Sequence, residues 1–133
     1  MPAVGTVVET ARLFGHIRTI TLLCTASADD ASFPAHALTT KFEGRLLKLV
    51  TNPGAVQPQD NYDVVLTDQH GRDVLEGVGA NRDTLNTEEV PIVYAGTGTH
   101  PCISDGDTLT LGISGNNVNS AVTEITLYFA LGG

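Results

Sequence analysis

The sequence predicts an all-β protein: an antiparallel β-sandwich, jelly-roll-like, of about seven or eight strands with little or no helix. Apolar and polar residues alternate with a period of two in several separate stretches, so one face of each can be buried while the other meets water. Clusters of Gly, Pro, Asn and Asp divide these stretches at intervals near the ~8–12 residues typical of sandwiches and barrels. No window of roughly 11 residues carries an apolar stripe of helical period.

Residues 4–10, VGTVVET, form a first strand or an extended N-terminal arm, the remainder (11–133) being a single sandwich domain. In HIRTITLLCTA (16–26), Ile20, Leu22 and Cys24 share one face, with Thr19, Thr21 and Leu23 on the other. SADDASFP interrupts the pattern. AHALTTKFEGRLLKLVTN resumes it as one bent strand or two short ones, with a bulge or bend at Gly44. The loop NPGAVQPQDN (52–61) cannot continue a ladder, because proline has no N–H to donate. Tyr62, Val64 and Leu66 then face one side, and DQHG (68–71) makes a tight turn in which Gly71 supplies a positive φ. Gly77 and Gly79 argue against a helix in the next segment, so a short DVL strand (73–75) and a loop are expected. VPIVYAG (90–96) reads as a strand near an edge, because of Pro91. GDTLTLGISG and TEITLYFAL both alternate cleanly and predict a long antiparallel hairpin.

Composition narrows the function. Seven Lys and Arg against 15 Asp and Glu give a net charge of −8. Such a surface repels phosphate backbones and anionic lipid, so neither nucleic acid nor membrane is an expected partner. No apolar run approaches the ~20 residues that span a bilayer as a helix, and MPAVGTVVETARLFG lacks the pattern of a signal peptide. Synthesis in a cytoplasm with reduced thiols is expected. Cys24 sits in an apolar strand pattern and suits a buried free thiol. Whether it pairs with Cys102 depends on strand neighbours that spacing alone leaves open.

Candidate chemical groups are scattered. His16, His36, His70 and His100 share no motif. His100 and Cys102 could offer two ligands, where structural zinc takes four. Acidic pairs occur at Asp29–Asp30, Glu88–Glu89 and Asp105–Asp107; Asp60–Asn61 and Asp105–Asp107 are fragments of a calcium-loop pattern and read better as turn residues. No serine lies in GxSxG, and the pieces EGVGANR and AGTGT lack the strand–loop–helix setting that cradles phosphate. No cofactor and no enzymatic activity are expected. Tyr94 and Tyr128 are the candidate interfacial aromatics, Tyr128 because it lies opposite the Ile125–Leu127–Phe129 face.

The segment TNPGAVQPQDNYDVVLTDQHGRDVLEGVGANRDT, Thr51 to Thr84, covers about a quarter of the chain. It resembles a pattern in small β-sandwich virion structural proteins of tailed bacteriophages. There a strand leads through an NPG loop into a DNYD strand and turn, then into a Gly-rich GANRD stretch. The resemblance implies a structural protein of the particle, and the acidic charge favours the outside of the DNA-filled head. The resemblance alone does not place it on head, neck or tail; a short acidic β domain with an uncharged N-terminal stretch suits a capsid decoration or cement protein, expected as a homotrimer on the outer surface of the capsid that bridges copies of the major capsid protein. Pro2, Ala3, Val4, Gly5, Thr6, Val7 and Val8 would add a strand to a capsid loop, many such contacts acting together over the shell. A tail or neck component, or a carbohydrate- or receptor-binding module, are the alternatives.

Overall fold

A computed structural model describes residues 5–40, 44–93, 100–103 and 108–131. They form two antiparallel sheets packed face to face, with no helix among the described residues. The strands are β1 (Thr6–Phe14), β2 (Ile17–Thr25), β3 (His36–Ala37), β4 (Gly44–Pro53), β5 (Asp63–Thr67), β6 (Glu88–Pro91), β7 (Cys102–Ile103), β8 (Thr110–Ser114) and β9 (Val122–Leu131). The larger sheet runs β1-β2-β9-β4-β6, with β7 also on β4. The smaller runs β3-β8-β5. The described residues hold nine strands where about seven or eight are expected, and β3 and β7, two residues each, are too short to show as alternation.

The period-two pattern places the core as expected. Ile20, Leu22 and Cys24 of β2 and Ile125, Leu127 and Phe129 of β9 are fully buried, and they face Val64, Leu66 and Leu111 of the smaller sheet. Tyr62 spans the layers: its ring is fully buried and its hydroxyl lies 2.8 Å from Thr123 Oγ1 at the start of β9. Burial raises the phenol pKa, so the group stays neutral. Tyr62→Phe keeps the ring and strands the Thr123 hydroxyl. Urea unfolding should show a loss of about 1–2 kcal/mol.

Pairing differs from expectation at three places. The last two long strands form no hairpin: β8 pairs with β3 and β5, whereas β9 lies between β2 and β4 in the other sheet. Both are amphipathic, and a two-sided core accepts such strands in either layer. The irregularity in β4 falls between Leu46 and Lys48, where the register with β9 shifts, and not at Gly44. Gly44 has a different duty: φ is +140°, and a Cβ there would sit 2.0 Å from the Ala130 carbonyl oxygen. Residues 73–75 form turns with a single bridge, Thr67 to Asp73, because Asp73 accepts the amides of Leu66, Leu75 and Gly77 and curls the backbone around its carboxylate.

Candidate functional site

The Thr51–Thr84 segment folds around its own aspartates. Asp60 accepts the Thr84 amide, Asp63 that of Asn81, Asp68 those of His70 and Arg72, and Asp83 those of Leu85 and Asn86. These bonds hold the carboxyls of Asp68 and Asp83 below the usual range. The excursion lies along the free side of β5, with Val64 N donating to Gly79 O and Val74 N to Leu66 O, both at 2.8 Å. The Thr51–Thr84 residues therefore build and shield a sheet edge.

The sandwich does not gather its histidines and acids. His16 and His70 are exposed, and His100 Nδ1 bonds the Ile92 carbonyl at 2.7 Å. No group of three or more His, Cys, Asp or Glu among the described residues could hold a metal ion. Tyr94, Asp105 and Asp107 lie outside the described residues, as do Pro2, Ala3 and Val4. Both cysteines are free: Cys24 is buried, its thiol pushed up to about 12 by desolvation, and Cys102 is exposed. A thiol reagent should modify Cys102 in the native protein at once, and Cys24 only on unfolding. Immediate modification of two thiols would contradict this placement of Cys24.

One exception joins distant groups. Glu9 of β1 points between the sheets, its side chain 6% exposed, and receives His36 Nε2–H at 2.8 Å, the amides of Thr39 and Thr40 at 2.9 and 2.7 Å, and both threonine hydroxyls. Desolvation is the largest effect and opposes ionisation. The Thr40 hydroxyl, the Thr39 amide, His36 and the Thr40 amide together outweigh it and hold the carboxyl at about 2. With every oxygen of this carboxylate engaged, it clamps β1 to the 36–40 segment and is not poised for acid–base work.

The surface feature that stands out is β1 itself. Thr6, Val7 and Val8 pair with Thr25, Cys24 and Leu23, and the strand runs on to Phe14, four residues beyond the expected stretch. Among the described residues it pairs with β2 alone, and its other side is an open edge nine residues long. Three of the seven exposed large apolar side chains among the described residues lie on it: Val8 (56%), Leu13 (54%) and Phe14 (61%). A fourth, Leu23 (42%), sits directly across from Val8. From this edge the outer face of the larger sheet forms a shallow trough of about 490 Å³ floored by Thr19, Thr21 and Thr126 and flanked by Arg12, Phe14 and Tyr128. Arg12 has no acidic partner among the described residues. Tyr128 does lie on this face, but Lys48 Nζ covers its ring at 4.5 Å from the centroid, and Lys48 is itself paired with Glu89. The open ring is Phe14. The signal for it was the continuous TVVETARLF alternation turning at Gly15, whose φ is +59°.

No protein-family model, no curated protein and no solved structure matches this chain.

Proposed function

We propose that this chain is a structural protein of a tailed-phage particle, a head decoration or cement protein that binds the major capsid protein from outside and works by contact, without chemistry. The observation that supports this best is the pairing of an open, apolar-flanked strand edge with a surface otherwise kept soluble by a net charge of −8. The Thr51–Thr84 resemblance supplies the virion context. In this reading the protein assembles as a homotrimer and bridges neighbouring capsid subunits, and the multiplicity of sites over the shell makes modest individual contacts strong. Quantitative mass spectrometry of purified particles from the encoding genome tests it. Hundreds of copies per particle, with antibody labelling on the head, are expected. A copy number matching one small ring would move the protein to the neck or tail, and absence from particles would end the virion reading.

A further inference from the structure

We propose that the open edge of β1 is a docking strand, which takes an extended segment of a different protein as an added strand, with a carboxylate of that segment set against Arg12. The inference deepens the partner-binding part of the proposed function and is independent of where in a particle the protein sits.

It rests first on a contrast between edges. Unpaired strand edges recruit other chains, and soluble proteins blunt them with short strands, proline, charge, bulges or covering loops. Every other described edge here is blunted. β6 has four residues, including Glu88, Glu89 and Pro91. β3 and β7 have two residues each. β5 is covered by the 72–83 excursion, through the Val64–Gly79 and Val74–Leu66 bonds and the bridges Tyr62–Arg82 and Thr67–Asp73. Among the described residues β1 carries none of these devices but the charge of Arg12: it is nine residues long, has no proline or lysine, and holds an unbroken register with β2. Its one acid, Glu9, is spent internally on His36, Thr39 and Thr40, and the clamp ties the strand to the 36–40 segment.

The second ground is charge. A second copy of β1 is a poor occupant. Antiparallel self-pairing centred on Thr10 sets Arg12 against Val8, and centred on Ala11 it sets Arg12 against Thr10. Both registers leave the guanidinium without an acid, the register between them sets Arg12 against Glu9, whose carboxylate is already taken up by His36, Thr39 and Thr40, and all three bring together two chains of net charge −8. A foreign strand with an acid opposite Arg12 and apolar residues toward Val8 and Phe14 satisfies the edge, the exposed side chains and the cation at once. Main-chain bonds would supply affinity, and the alternating side chains specificity.

The test uses the full chain and a blocked nine-residue peptide, alternating Val and Thr with Asp at the third position on the Val face, which full antiparallel register with Thr6–Phe14 sets opposite Arg12. Two controls are the same peptide with Lys at the third position and one N-methylated at alternate amides. In the free protein, the alternate β1 amides that face away from β2 should exchange rapidly with solvent. The Asp peptide should protect them, the Lys peptide should bind at least about tenfold more weakly, and the N-methylated peptide should not bind. Arg12→Glu, at an exposed position, should leave the amide spectrum folded and reverse the preference to the Lys peptide. Protection of these amides in the free protein, equal binding of the Asp and Lys peptides, binding of the N-methylated peptide, or no binding of the Asp peptide would each overturn the proposal. None of these outcomes depends on the particle copy number that tests the virion reading.

Discussion

Gly79→Ala should destabilise the protein by about 3 kcal/mol or more, and Gly77→Ala, two residues away, by only about 1 kcal/mol. A Cβ at position 79 would lie 2.1 Å from the Val64 carbonyl oxygen and 2.9 Å from its carbonyl carbon. Both are backbone atoms of β5, so relief requires the excursion to lift away and give up the Val64 N to Gly79 O bond. At Gly77 nothing lies within 4 Å of the same atom, and the cost is that of an alanine at φ +81°. Chemical denaturation of the two variants makes the comparison. Equal losses would mean that the excursion is not held against β5. Because lifting it also opens the β5 edge, Gly79→Ala should aggregate in concentrated solution where Gly77→Ala does not.

Glu9→Gln should cost about 2–3 kcal/mol near neutral pH, since the amide keeps one acceptor oxygen and turns its NH2 toward donors. The pH profile is the sharper measurement. The folded pKa of Glu9, about 2, is depressed below the ordinary 4.5. A group of this sign stabilises fully above its unfolded pKa and loses that contribution as pH falls toward the folded value. The gap between wild type and Glu9→Gln should therefore be constant above about 4.5 and close progressively toward about 2. A gap independent of pH across that window would show that the carboxylate charge contributes nothing to the clamp. Loss of the clamp frees β1 from the 36–40 segment, so hydrogen exchange of Val8 and Thr10 should accelerate together in the variant.

How much could be read in advance differs by scale. The period-two stretches predicted the fold class and the inward faces of β2, β5 and β9, because alternation across a strand is a local property of the backbone. Tyr62, Val64 and Leu66 needed no tertiary knowledge to be placed inside, nor Gly71 at a positive φ. The candidate surface was only half legible. Residues 4–10 drew attention as an arm or a strand, but Arg12 and Phe14 did not. Nothing local distinguishes an edge strand from a central one, since edge status is a statement about neighbours that are absent.

The Glu9 clamp was invisible for a related reason: its partners lie 27 to 31 residues away, and no motif links a strand glutamate to a His and two threonines. Asp60–Asn61 reads better as a turn than as a calcium-loop fragment, and the structure uses Asp60, Asp63 and Asp83 as acceptors for backbone amides. Short polar side chains do that wherever a chain must turn without a ladder.

What the chain determined by itself was the repertoire: amphipathic strands, turn positions, an acidic and soluble surface, and a core sufficient for one sandwich. The assignment of strands to sheets was decided only in three dimensions. β8 and β9 have interchangeable patterns, and they separated into different layers because packing both sheets around Tyr62 and Phe129 buries more apolar surface than a lone hairpin can. The same assembly closed the other described edges and left β1 open. That choice lies in long-range pairing and side-chain clamps, where the free energy of the whole sandwich overrides anything a short stretch of residues prefers.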